Sequence, residues 1–182
     1  MTTRKHYSGL DLASKDLETL DSGTSHQDLR LWLRILTLHK LINNEVRRRL
    51  RRYFGMSLSR FDLLAQLDNT PSGIRVGELS KRMMVTTGNI SGLTDELVVD
   101  GLVERTADPF NRRANLVRMT TKGRTLFREA AKINEKWIED FFSNLSQSEK
   151  TLLFDLLEKQ KHFVMTRLQD VRMVSEDTAG AK

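Results

Sequence analysis

Apolar residues recur every three to four positions along most of this chain and every two positions along one short stretch. From Leu29 to about Tyr53, Leu29, Trp32, Leu33 and Leu36, continued by Lys40, mark one stripe, and Leu38, Ile42, Val46 and Leu50 mark a second, offset one. Two stripes on one helix predict cover on two sides, one by its own domain and one by a second subunit. Gly55 is the expected stop. A shorter helix should follow, capped by Ser59 with Asp62 near its positive end, and with Phe61, Leu64, Ala65 and Leu67 facing inward. Asn69 to Gly73 is a turn cluster, and Ile74-Arg75-Val76 a short β-like segment.

Two short helices come next. Val76, Leu79 and Met83 face the core from the first, and Ile90, Leu93 and Leu97 from the second. The period then changes to two. Leu102–Thr106 and Asn115–Met119 read as antiparallel strands, with Val117 and Met119 on one face. Residues 107–113 between them form a turn around Asp108-Pro109. Thr120 can cap a long helix to about Phe142, with the stripe Leu126, Phe127, Ala130, Asn134, Trp137, Ile138 and Phe141. Ser146 and Glu149 form a capping box that opens a last helix through Val171, coiled-coil-like in its spacing.

The predicted fold is mostly α with a small β wing. It is a winged helix-turn-helix over about 56–120, with dimerisation helices over about 28–54 and 121–174, making a single domain from 28 to 174. The flanking stripes are larger than a small winged helix alone can cover, so a homodimer is expected. Residues 1–27 form a polar arm in which Leu10, Ala13, Leu17 and Leu20 recur at helical spacing. A mobile tail and an arm docked on a partner subunit both fit it. A disordered tail is expected over 175–182.

Composition narrows the function. The formal net charge is +6 and the sequence pI about 9.8, which suits a polyanionic partner. Cysteine is absent, which excludes disulfides, thiolate catalysis and cysteine-based sensing. His6, His26, His39 and His162 show no metal-ligand spacing, so neither a metal nor a cofactor is expected. There is no nucleophile–base arrangement and no phosphate-cradling glycine loop, so an enzyme is not expected. No apolar run approaches the roughly 20 residues that span a bilayer. Without a signal-like start or membrane partner, a cytoplasmic location is expected.

The second short helix carries the candidate contact residues. Thr86, Thr87, Gly88, Asn89 and Ser91 form the outward set at its start, with Thr86 or Thr87 as N-cap. A helix start offers free N–H groups to a phosphate. Hydroxyl and amide side chains reach base edges, and an asparagine can pair bidentately with adenine. At the expected wing tip, Arg112 and Arg113 could enter a minor groove. The alternatives are a polar solvent face and a solubilising arginine pair. Arg47, Arg48, Arg49, Arg51 and Arg52 likewise read as a solvated face at a helix end or as phosphate contacts.

Glu78-Leu-Ser, Gly88-Asn-Ile-Ser-Gly-Leu, Asp100-Gly-Leu-Val-Glu-Arg and Arg112-Arg-Ala, followed by Val117-Arg-Met-Thr and Gly123, resemble the MarR family of bacterial regulators. The resemblance covers about Leu29 to Val171. It implies a homodimer that binds a palindromic operator in double-stranded DNA, mostly as a repressor, and a small-molecule effector held between the dimer region and the winged helix. It also implies that the Gly88 helix reads the major groove and that Arg113 reaches the minor groove. Two positions depart from the family pattern. Asn111 stands where an aspartate usually precedes the two arginines, leaving Asp108 to orient Arg113. Glu96 stands where an arginine is frequent. Leu31–Leu36, Leu58–Leu67 and Met84–Asn89 further resemble regulators of aromatic-acid catabolism. That likeness implies an aromatic acid or its CoA thioester as effector, with Trp32, Arg34, His39 and Phe61 lining its pocket; a buried core and a satisfied histidine are the competing reading. Remaining alternatives are a winged-helix protein-interaction module and a DNA-binding regulator with no effector.

Overall fold

The computed structural model describes residues 26–108 and 111–179. The expected arm, residues 1–25 of it, lies outside them, as do residues 180–182. Six helices and three short strands follow in the order α1 (Gln27–Phe54), α2 (Leu58–Asp68), β1 (Ile74–Arg75), α3 (Val76–Met83), α4 (Thr87–Val99), β2 (Val103–Asp108), β3 (Asn111–Met119), α5 (Thr121–Phe141) and α6 (Gln147–Ala179). The mostly helical fold with a small antiparallel sheet is the expected one. Packing divides the described residues into two units, one up to Asn134 and the other from Glu135.

In the first unit the core lies beneath the helix-turn-helix and wing. Leu50, Leu63, Leu64, Leu67, Leu79, Ile90, Leu97, Val103 and Val117 are fully or almost fully buried. Phe61 meets Phe127 at 5.4 Å between ring centroids, tilted by 41°. The sheet order is β1-β3-β2, with Ile74 opposite Val117 and Val103 opposite Met119. Val117 is buried because it is the central-strand residue facing the helices.

Local chemistry sets the helix ends. Gly55 closes α1 at φ 60, a left-handed conformation that glycine adopts without strain. Ser57 caps α2, accepting from the Arg60 N–H at 3.3 Å. The expected cap, Ser59, instead lies inside the first turn, because Leu58 already has helical geometry. Thr120 caps α5 as expected, accepting from the Gly123 N–H at 3.0 Å. A Cβ on Gly123 would lie 2.0 Å from the Leu102 carbonyl oxygen, so only glycine lets α5 start this close to β2.

The second unit holds the end of α5, the turn after it and α6. The capping box forms: the Ser146 N–H donates to Glu149 at 2.8 Å, and the Glu149 N–H donates to Ser146 Oγ at 3.3 Å. The helix so opened continues to Ala179, past Ser175 where a tail was expected. Pro and Gly are absent from 147–179, so nothing in the backbone breaks it.

Candidate nucleic-acid interface

Helices α3 and α4 and the turn between them build the candidate surface. Inward, Leu79, Ile90, Thr94 and Leu97 are at most 1% exposed. Thr94 is the polar member of that set, and its hydroxyl donates to the Ile90 carbonyl at 2.7 Å, which satisfies it inside the helix. Met84 makes the turn at φ 54, the only left-handed non-glycine among the described residues. Its N–H bonds the Lys81 carbonyl at 3.2 Å, and the Val85 N–H bonds that of Ser80 at 3.1 Å. Buried Ser80 also meets the Thr87 hydroxyl at 3.3 Å, tying the two helices together.

Thr86 is the N-cap of α4, accepting from the Asn89 N–H at 3.3 Å. The side chains of Thr86, Thr87 and Asn89 are exposed, as is Gly88, whose missing Cβ would meet nothing within 4 Å. The first N–H groups of any helix lack in-helix partners. Here the Asn89 N–H is taken by the Thr86 cap, and those of Thr87 and Gly88 belong to exposed residues at a flat glycine, so an anion or a base edge can approach closely. Ser91 departs from this set. It is half-buried and lines an open groove of about 1050 Å³ toward the wing, which Arg75, Glu78, Lys81, Arg105 and Asp108 also line. Glu96 is exposed in the second half of α4, away from the helix start.

The wing differs from expectation. The strands reach Asp108 on one side and begin at Asn111 on the other, so Arg112 and Arg113 belong to strand β3 rather than to a turn over 107–113. Ala107 pairs with Asn115 and Asp108 with Asn111. Residues 112–114 therefore stand opposite no partner, which is a bulge. A bulge breaks the alternation by which strands are read, and so hid this one. The side chains of Arg112 and Arg113 lie outside the described part of the structure.

Asp108 is 4% exposed, and Arg75 holds it through Nε at 2.6 Å and a terminal guanidinium nitrogen at 2.5 Å. That pair fixes the outer end of β2 to β1. Asp108, expected to orient Arg113, is thus engaged by Arg75, a residue sequence reasoning did not single out. Thirty-three positions separate the two, and no local signal joins them. A second wing contact links Arg105 of β2 to Asp95 of α4 at 2.7 Å. Together these pairs set the wing against the helix-turn-helix.

The four candidate effector residues are not brought together. Phe61 is 8% exposed and belongs to the core, whereas Trp32 is 56% exposed on the open first half of α1. Along a helix Arg34 is turned about 200° from Trp32, so one copy cannot present both to one ligand. His39, seven residues on, shares the Trp32 face and hydrogen-bonds Asn43 at 2.8 Å. No group of three or more metal-ligating side chains occurs among the described residues, and no described helix is long and apolar enough to cross a membrane.

Comparison with known proteins places this geometry. A model of the MarR family matches residues 54–114. A solved MarR family transcriptional regulator from Silicibacter pomeroyi is 30% identical, with a TM-score of 0.66, covering 79% of this chain and 99% of that one. An HTH-type regulator of Bacillus subtilis strain 168, YdgJ, is 29% identical over 59% of this chain and 65% of its own length. The chain thus spans just under two thirds of that relative. The HTH-type transcriptional repressor YetL of the same organism is 28% identical over 76% of this chain and 80% of its own length.

Proposed function

The chain belongs to the MarR family, and from that premise we propose that it is a DNA-binding transcriptional regulator. In this proposal it acts as a homodimeric repressor on a pseudo-palindromic operator. The observation that carries it is the exposed, capped start of α4, Thr86 to Asn89, beside a wing braced by Arg75–Asp108 and Arg105–Asp95. The α4 start would enter the major groove, and Arg112 and Arg113 would follow the backbone toward the minor groove. Two copies would set half-sites about one helical turn apart. The name of the relative YetL supports repression.

The test is selection from a randomised duplex pool, followed by titration across a salt series. Affinity should fall steeply with salt, because cations that neutralise phosphates release counterions. Arg113→Ala should weaken the selected duplex about tenfold and lower the salt slope. Asn89→Ala should relax base preference more than it weakens non-specific binding, because an amide reads bases and carries no charge. Salt-independent binding, or Arg113→Ala binding like the parent, overturns the proposal.

We further propose an aromatic acid or its CoA thioester as effector. Support comes from the open first half of α1, where Trp32 offers a ring and His39 a polar group on one face. Phe61 is withdrawn from that site by its packing on Phe127. Arg34 would join only from a second copy. Such a ligand acts only by preferring one arrangement of the two recognition helices. It should quench tryptophan fluorescence at the concentrations that release DNA, and Trp32→Phe should abolish the quench. Release without any Trp32-dependent signal removes the site from α1.

A further inference from the structure

We infer that Met84 and Val85, in the turn before α4, are specificity-determining residues that contact thymine methyl groups in the major groove. The inference rests on the proposal that the start of α4 enters that groove.

Met84 is 92% exposed and Val85 41%. The pair is followed directly by Thr86, Thr87, Gly88 and Asn89, all exposed. An isolated apolar side chain on a surface needs no explanation. Two adjoining ones within the polar face that would meet DNA do. Nothing in the folding of this turn asks for methionine at position 84. Its φ of 54 lies in the left-handed region, where a Cβ crowds the backbone and glycine is preferred. The side chain gains no burial in return for that conformation. Strain of this kind, kept without a packing reason, points to a contact made only in a complex.

The position suits a base edge. Two backbone hydrogen bonds, Met84 N–H to Lys81 and Val85 N–H to Ser80, hold the turn rigid at the α4 start. Exposed Lys81 and Arg82 lie in the last turn of α3 beside it, with Arg82 also joined to Glu78 at 3.1 Å. Cations flanking an apolar pair match what a duplex offers, phosphates on either side of the groove and thymine methyls within it. In the major groove the C5-methyl of thymine is the apolar mark that distinguishes it. Polar Thr86 and Asn89 would read donors and acceptors, and Met84 and Val85 the methyl groups.

The experiment uses the full chain and the tightest duplex recovered from a randomised pool. Each thymine is replaced in turn by deoxyuridine, which lacks only the methyl. The parent should lose about fourfold in affinity at one or two positions per half-site, the size expected for one buried methylene-sized group. Met84→Gly should fold at least as well as the parent, because glycine relieves the left-handed turn. It should bind thymine and deoxyuridine duplexes alike at those positions. Val85→Ser, with the same backbone bond available, should narrow the difference at a neighbouring position. Equal binding of both duplex forms by the parent at every position overturns the inference and leaves the DNA-binding proposal standing. So does a thymine preference that survives both substitutions. If no duplex is enriched at all, the DNA-binding proposal itself fails and takes the inference with it.

Discussion

Helix α4 has 13 residues and hides Ile90, Thr94 and Leu97. Helix α6 has 33 residues and, among those whose exposure is described, hides none. Both carry apolar residues at helical spacing. The first has its apolar face matched by α3 and the wing strands of the same chain. The second shows Leu152, Phe154, Leu156, Leu157, Phe163, Val164, Met165 and Leu168, each at least 43% exposed. The first half of α1 behaves like α6, with Leu29, Leu31, Trp32, Ile35, Leu38 and Leu41 all exposed. An apolar pattern thus predicts that a face will be covered, but not by which molecule. The winged helix is closed by its own residues, whereas α6 and early α1 have the composition of a surface that a second copy would close.

The largest test of that contrast removes α6. A chain ending before Glu149 should lose the dimer that the full chain is expected to form, and most of its soluble yield, while α3 and α4 keep their buried residues. Sedimentation of both proteins measures this. A full chain that sediments as a well-behaved monomer refutes the assignment of these faces.

Single substitutions sharpen it. Leu97→Ala empties a fully buried site and should cost about 2–5 kcal/mol, seen as a lower melting temperature at every protein concentration. Leu156→Ala, at a site 55% exposed in one copy, should act through association instead. Its melting temperature should fall most at low concentration and approach that of the parent at high concentration. Identical concentration dependence in the two variants would erase the distinction between the regions.

The same contrast explains what was legible in the sequence. Helix positions followed from spacing, and most ends from Gly55, Thr86, Thr120 and Ser146, because these signals act within a few residues. The α2 cap fell two positions earlier than expected, since Ser57 and Ser59 are both competent and only the chain path decides. The order of elements and the outward set Thr86 to Asn89 were readable for the same local reason. What escaped depended on pairing at a distance or on broken periodicity. Arg75 and Asp108 meet only because β1 pairs with β3. Residues 112–114 sit in a bulge. Phe61 has an aromatic identity that suits a ligand or a core equally, and only the fold brings it against Phe127. Thr94 could have been found: it lies four residues from Ile90, on the core stripe.

Within the closed region, the Arg75–Asp108 pair tests whether the wing is held by a specific contact or by general packing. Asp108→Asn keeps the shape but removes the charge from a nearly buried carboxylate. It should cost about 1.5–3 kcal/mol, the range for hydrogen bonds to charged groups, measured by urea unfolding. Loss of operator affinity should accompany it without a change in salt slope, because no phosphate contact is removed. Full stability in Asp108→Asn would mean that packing alone sets the wing.

The smallest expected effect lies where the two regimes meet, in the middle of α1. Glu45 precedes buried Val46 and holds Arg48 through two hydrogen bonds, at 2.6 and 2.8 Å, and Arg49 at 2.7 Å. The Arg48 hydrogen bonds, reinforced by Arg49 and opposed by partial burial, lower its carboxyl from the ordinary 4.5 to about 2. A depressed folded-state value means that the ionised form is favoured by folding. Its contribution is complete above the unfolded value, near 4.5, and is lost as pH falls through about 2. Pairs one helical turn apart and still reached by water contribute little, so Glu45→Gln should cost only about 0.3–1 kcal/mol at pH 7. The gap between parent and variant should stay level from pH 7 to about 5, then narrow between 4.5 and 2, and it should shrink with added salt. Chemical denaturation across that pH range measures it. A gap that holds constant to pH 2.5 would show that Glu45 acts through packing at the junction with the core rather than through its charge.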